Sequence, residues 1–221
     1  MGRINVLGRV ILKFVMVLAL VSLLAGLTAC GGATFVRGGM DPLKSGDKVG
    51  VLVTSYQLTE FGRYARTHRL NAKLETQVAS VIGDLLKDDL TRKGFAAMAL
   101  PSTGKIEEIV QKYKDLPRNL RGEISSPDAA DFGDLRVLFR ESGISRMLLF
   151  SGATDSADKS ALAPGVIVNP STVTFTGVLD QDGKLSFFNR KLYAENGDIN
   201  SFPQRAVIIE NVIDTWISSS K

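Results

Sequence analysis

Cysteine and histidine are almost absent from the 221-residue chain, which contains one of each. A lone cysteine cannot form an intramolecular disulfide, so we expect a core that is large enough to hold the fold without one. One histidine excludes every site that needs two, such as the zinc motif His-Glu-x-x-His. The positions of these two residues, Cys30 and His68, therefore matter more than their number.

A strong excess of positive charge is also lacking once the chain is divided at Cys30. The whole sequence has 27 basic and 23 acidic residues. Residues 1–29 contain three of the basic residues and no acidic one, so the remaining 192 residues carry 24 basic and 23 acidic side chains. We therefore expect no nucleic-acid partner, because such binding requires a basic surface.

The chain has one long apolar run, and it lies near the N-terminus. Arg3, Arg9 and Lys13 precede 14 mainly apolar residues, 14–27. This order is typical of an export signal, and 14 residues are fewer than the roughly 17 to 25 that span a bilayer as a helix. We therefore predict that residues 1–29 are a signal peptide that is cleaved.

The run ends in Leu27-Thr28-Ala29-Cys30, which resembles the lipobox of bacterial lipoproteins. An ordinary secretory signal has small residues at −3 and −1 of the cleavage site, whereas the lipobox has Leu at −3. The resemblance implies that signal peptidase recognises Leu27, Thr28 and Ala29 and cuts before Cys30. It also implies that Cys30 carries a diacylglycerol and an N-acyl chain such as palmitate. A plain secretory signal and an uncleaved anchor are the alternatives.

Lipid chains on Cys30 would hold the protein at a membrane, because two anchoring chains attach a protein stably where one does not. By resemblance to enteric lipoproteins, Gly31 in place of Asp favours the outer membrane, with the protein facing the periplasm. The inner membrane and the cell surface stay open. We expect no cofactor apart from the lipid.

The mature chain is expected to consist of a lipidated flexible tether, 30–46, and a single periplasmic domain, 47–221. Six residues of the stretch 31–46 are Gly or Pro, and its 16 residues would reach about 50 to 58 Å when extended. The domain is predicted to be α/β, with three layers, a mixed and mostly parallel sheet, a C-terminal antiparallel hairpin and helices on both faces.

The hydrophobic patterns give approximate bounds for the elements. Strands are predicted at 48–54, 95–100, 147–150, 172–179 and 184–193, and helices at 69–93, 106–113, 126–142 and 204–218. Loops are predicted at 56–69, 115–127 and 152–164. Leu74 and Val207 are assigned to the inward faces of the first and last helices.

Three segments, KVGVLV, RKGF and FRESGISRMLLFSG, resemble a group of periplasmic lipoprotein domains. The group includes relatives of the TolB N-terminal domain, the curli-secretion lipoprotein and lipoprotein activators of penicillin-binding proteins. Gly94-Phe95, Gly143-Ile144 and the turn Asp180-Gln-Asp-Gly-Lys184 match that pattern. The resemblance covers about residues 47–217 and implies a fold and a role in envelope assembly, with no catalytic residue.

The residues that could carry chemistry are few. Ser151 follows a predicted strand, but its surroundings lack the Gly-x-Ser-x-Gly elbow, and the sequence does not place it near His68. Asp84, Asp88 and Asp89 on one helix are interpreted as a solvated face, not as a metal site. We therefore expect that the protein is not an enzyme.

Aromatic and arginine side chains, which are enriched at interface hot spots, occur together between 56 and 69. The candidate partner-binding residues there are Phe61, Arg63, Tyr64, Arg66 and Arg69. A loop folded onto its own domain is the alternative, and the segment 117–126 is a second candidate surface.

The sequence thus predicts a membrane-anchored, non-catalytic lipoprotein that binds another envelope protein as an accessory or assembly factor. One alternative is a subunit of an oligomeric secretion or transport complex, in which the hairpin 172–193 would cross a membrane. Another is a periplasmic hydrolase that uses Ser151. The sequence specifies neither the partner nor the oligomeric state.

Overall fold

The computed structural model describes residues 33–37, 43–61, 67–69, 72–119, 126–157, 171–194 and 202–220. These residues form one seven-stranded sheet and four α-helices. The strands are β1 (Ala33–Val36), β2 (Lys48–Phe61), β3 (Thr67–Arg69), β4 (Ala96–Ala99), β5 (Arg146–Ala157), β6 (Ser171–Leu179) and β7 (Leu185–Ala194). The helices are α1 (Ala72–Arg92), α2 (Gly104–Asn119), α3 (Arg136–Ser142) and α4 (Phe202–Ser219), with a 3₁₀ turn at Pro127–Ala129.

The sheet is mixed, which confirms the α/β class. Its strand order is β1-β7-β6-β5-β2, and both β4 and β3 pair with the far side of β2. β2 is parallel to β4 and β5, whereas the β2–β3, β5–β6, β6–β7 and β1–β7 pairs are antiparallel. The prediction of a mostly parallel sheet is therefore wrong. Parallel pairs need long crossover connections, and the chain makes such crossovers only between β2 and β5, whereas β6, β7 and β1 all join the sheet by antiparallel pairing.

β2 and β5 are the longest strands and pair along almost their whole length. Their register runs from Val49 opposite Arg146 to Phe61 opposite Ala157, with one irregularity between Val53 and Ser55. Loops were expected from 56 and from 152 onward, and these predictions are wrong for 56–61 and 152–157. The strands continue because their polar second halves keep pairing with each other.

Two hydrophobic clusters lie on opposite faces of the sheet. Adjacent residues of a strand point to opposite faces, and β5 supplies Leu148 and Phe150 to one cluster and Met147 and Leu149 to the other. The first cluster includes residues of α1 and α4, among them the buried Trp216. The second includes residues of α2 and α3. Each face of the central strands is thus covered by a pair of helices.

Two assignments to the core are wrong. Leu74 and Val207 are largely exposed. In the first turn of α1 it is Glu75 that faces the sheet, where its Oε1 accepts a hydrogen bond of 3.1 Å from the N–H of Leu58. α4 buries Ile208 and its neighbours at helical spacing, which leaves Val207 on the outer side.

The segment predicted as a flexible tether contains a strand of the sheet. β1 pairs antiparallel with β7, from Ala33 opposite Arg190 to Val36 opposite Phe187. Further along, the N–H of Gly46 donates to the carbonyl of Gly94 at 2.8 Å. The prediction is therefore wrong for 33–36, and the compact unit that contains the sheet begins at Ala33, not at residue 47.

The helix expected at 126–142 is interrupted, because residues 131–135 dock onto the turn between β6 and β7. The N–H of Phe132 donates to the carbonyl of Gly183, and the N–H of Leu135 donates to that of Gln181, both at 2.9 Å. The backbone N–H groups of Phe132 and Leu135 are thus bonded to the turn and not to a helix, so the α-helix begins only at Arg136. α2 in turn continues to Asn119, beyond the loop start expected at 115.

We predict that Gly183→Ala lowers the free energy of unfolding by more than Gly46→Ala. Both glycines have positive φ, 69° and 90°, which costs about 1–3 kcal/mol for other residues. A Cβ on Gly183 would also lie 1.8 Å from the carbonyl oxygen of Gly133, whereas one on Gly46 would meet nothing within 4 Å. Urea unfolding followed by circular dichroism measures both variants. Equal losses would contradict a docked turn.

Candidate partner-binding surfaces

The predicted site residues fall partly outside the described residues. Leu27, Thr28, Ala29 and Cys30 lie outside them, as do Arg63, Tyr64 and Arg66. Phe61 is the last residue of β2 and Arg69 the last of β3. The two strands pair antiparallel, with Thr59 opposite Arg69 and Phe61 opposite Thr67. The structure thus brings the backbones of Phe61 and Arg69 to one corner of the sheet.

Ser151 and His68 are not placed together. Ser151 is buried on β5, opposite Ser55 on β2. His68 is opposite Glu60, five residues further along β2. At about 3.3 Å per residue the two backbones are offset by roughly 17 Å along the strands, and they also lie on opposite sides of β2, so they are beyond the reach of a hydrogen bond. A serine–histidine pair is therefore not formed by this arrangement.

The hairpin 172–193 lies inside the sheet. β6 pairs with β5 along Ser171–Leu179, and β7 pairs with both β6 and β1. Leu179 and Leu185, on either side of its turn, are fully buried. A membrane-spanning hairpin would have to leave these neighbours. Among the helices that the structure describes, none is long and apolar enough to cross a membrane.

The second halves of β2 and β5 are joined to β6 by buried hydroxyl groups. Tyr56 Oη lies 2.5 Å from Thr154 Oγ1, which lies 2.8 Å from Thr172 Oγ1. Thr54 Oγ1 donates to the carbonyl of Phe150 at 3.2 Å. All four hydroxyl residues are buried. This network is not among the features predicted from the sequence, although the Thr-x-Thr-x-Thr spacing of Thr172, Thr174 and Thr176 puts three hydroxyls on one face.

A first cleft, of about 460 Å³, lies between α1 and α4 and contains a buried carboxylate. It is lined by Leu85, Asp88, Asp89, Thr91, Arg92, Ala206 and Ile209. Asp89 is only 2% exposed, so its assignment to a solvated face is wrong. Arg92 Nη2 donates to Asp89 Oδ1 at 2.6 Å, and Lys93 Nζ lies 3.8 Å from Asp89 Oδ2.

Lys93 connects this carboxylate to the neighbouring helix. Its Nζ donates to Asp214 Oδ1 on α4 at 2.5 Å, and this hydrogen bond is the main reason that the pKa of Lys93 is raised. Burial raises the pKa of Asp89, and the positive charges of Lys93 and Arg92 oppose that shift. The cluster is thus a set of ion pairs that joins α1 to α4. Within the described part of the chain, no group of three or more His, Cys, Asp or Glu side chains could hold a metal ion.

A second opening, of about 370 Å³, lies beside the outer edge of β2. It is lined by Val51, Leu52, Val53, Thr76, Ala79, Ser80, Gly83, Asp84, Lys87, Ala99 and Leu100. β4 covers this edge of β2 only as far as Val51, and β3 begins to cover it only at Thr59. We call this opening the β2 groove. The edge of a strand carries main-chain donors and acceptors that an extended peptide can pair with.

The chain has only limited similarity to known proteins. No protein-family model matches the chain, and no curated protein matches it. One similar solved structure is the lipoprotein GNA1162 from Neisseria meningitidis, at 11% identity and a TM-score of 0.33, covering 77% of this chain and 96% of that one. Another is a proposed neuraminyllactose-binding hemagglutinin homologue from Helicobacter pylori, at 9% identity and a TM-score of 0.37, covering 83% and 87%. Likeness at this level does not transfer a function.

We predict that Asp89→Asn changes how stability depends on pH. Because the pKa of Asp89 is raised in the folded protein, its contribution to stability is present below the unfolded-state pKa, near 3.8, and is lost as the pH rises through the raised value. The free energy of unfolding of the variant should therefore improve relative to the native protein as the pH rises from below 3.8. Urea unfolding at a series of pH values measures this difference.

The matched control for that measurement is Asp88→Asn, which removes the exposed carboxylate of the preceding residue. A difference between the native protein and Asp89→Asn that stays constant with pH would contradict the linkage.

Proposed function

We propose that this protein is a bacterial envelope lipoprotein without catalytic activity. In this proposal Cys30 carries the lipid and anchors the protein to the outer membrane, facing the periplasm. The observation that carries the proposal is the motif Leu27-Thr28-Ala29-Cys30 at the end of a short apolar run. The separation of Ser151 from His68 and the structural use of Asp89 in ion pairs support the lack of catalysis.

The domain is proposed to bind another envelope protein as an accessory or assembly factor. We assign the partner surface to Phe61, Arg63, Tyr64, Arg66 and Arg69, and the backbones of the first and last of these residues lie at one corner of the sheet. The pairing of β2 with β3 supports this assignment, because it puts the first and last of these residues at one end of the sheet. The β2 groove continues along the same strand edge. An extended segment of the partner could therefore pair with β2 while aromatic and arginine side chains hold its end.

The anchor is tested by Cys30→Ala in cells supplied with labelled fatty acid. We expect loss of the label and loss of processing before residue 30, because the thiol is the group that accepts the diacylglycerol. Gly31→Asp is the matched variant, and it should keep the label while the protein moves to the inner-membrane fraction. Continued labelling of Cys30→Ala would contradict the proposal that Cys30 carries the lipid.

The partner surface is tested by a photoreactive amino acid at position 61, with position 137 as the control. Val137 is exposed on α3, which packs on the opposite side of the sheet from α1. Irradiation of intact cells should give a discrete adduct from position 61 alone, and Arg63→Ala with Arg66→Ala should weaken it. Equal adducts from both positions would show that the assigned corner is not the binding surface.

A further inference from the structure

The position of β1 fixes where the chain leaves the domain. Ala33 is already paired with Arg190 in the sheet, so only Gly31 and Gly32 separate it from Cys30. Three residue steps reach at most about 10 to 11 Å, even when fully extended. The 50 to 58 Å expected of a 16-residue tether is therefore not available while β1 is paired.

The direction of the chain identifies the part of the edge that is nearest to the anchor. β1 and β7 are antiparallel, so Ala33, the end of β1 that is nearest to Cys30 in the sequence, lies opposite Arg190, and Leu192 comes two residues further along β7. Leu192 is 46% exposed, and Val36 at the other end of β1 is 44% exposed. Arg190 is also exposed. Exposed apolar and arginine side chains together suit the headgroup region of a bilayer that contains anionic lipid.

We propose that the β1–β7 edge of the sheet lies against the lipid headgroups of the membrane that holds Cys30. This orientation rests on the proposed lipid anchor. The short connection favours the bilayer over a second copy of the chain, because it holds the headgroup layer within about 11 Å of Ala33. β4 lies at the opposite edge, five strand spacings or about 24 Å away. The β2 groove then faces the periplasm, where a partner can reach it.

The orientation is tested with single-cysteine variants, since the thiol of Cys30 is blocked by its lipid. Leu192→Cys on β7 and Met98→Cys on β4 carry the same fluorescent label. The two positions lie on the same face of the sheet at opposite edges and are comparably exposed, at 46% and 37%. The lipidated, full mature protein is reconstituted in phosphatidylethanolamine–phosphatidylglycerol vesicles that contain lipids with nitroxide headgroups. We expect several-fold stronger quenching at position 192, because nitroxide quenching acts at short range.

A flexible Gly-Ser insertion of about 14 residues between Gly32 and Ala33 is the control, because it adds roughly 46 to 50 Å of reach. It should abolish the difference in quenching while the protein still floats with the vesicles. Val36→Cys repeats the measurement from the neighbouring strand. Equal quenching at positions 192 and 98 in a lipidated protein of native length would overturn the orientation alone. A protein whose N-terminal peptide has no lipid mass would overturn the anchor and the orientation with it.

Discussion

The parallel pairing of β2 with β5 is the interaction on which the rest of the fold depends. Every other strand attaches to this pair directly or through β6 and β7, and both hydrophobic clusters take alternate residues from it. Parallel strands must be joined by crossovers, which puts helices on the faces of the sheet and buries the strands on both sides. The continuous apolar runs at the start of β2 and β5 follow from that burial.

The same pair explains which parts of the fold the sequence could predict. The first halves of β2 and β5 are recognisable because Val, Leu and Phe occupy consecutive positions that are buried on both faces. The second halves are not recognisable, because Thr54, Tyr56 and Thr154 are polar and are buried only where they form hydrogen bonds across the strand pair: Thr54 bonds to the carbonyl of Phe150, and Tyr56 bonds to Thr154. Such hydrogen bonds contribute only about 1 kcal/mol each, but a buried hydroxyl that lacks one costs more. Their partners come from residues about 100 positions away, which a local pattern cannot show.

The candidate sites show the same difference between features set by neighbouring residues in the sequence and features set by residues far away in the sequence. The motif Leu27-Thr28-Ala29-Cys30, which resembles a lipobox, is local and can be read directly from the sequence. The acidic residues around Asp89 predict a solvated face, yet Asp89 is buried beside α4, where Asp214 binds the neighbouring Lys93. The glycines on either side of β1 predict a flexible tether, whereas its strand partner lies more than 150 residues further on. In each of these two cases, the deciding neighbour belongs to the last quarter of the chain.

The two opposite edges of the sheet can therefore have different roles, one toward the proposed membrane and the other toward the proposed partner. The strand nearest in sequence to the proposed anchor, β1, is the first described element of the domain, and the groove proposed for the partner lies on the far side of the five-strand row from β1 to β2. Because the row is a continuous hydrogen-bonded ladder with helices on both faces, it holds these edges at a fixed separation. A long tether would let the domain turn freely and would leave the direction of the groove undetermined. In a protein anchored at Cys30, pairing β1 with β7 would remove that freedom, and the orientation of the groove would then be a property of the fold and not of the linker.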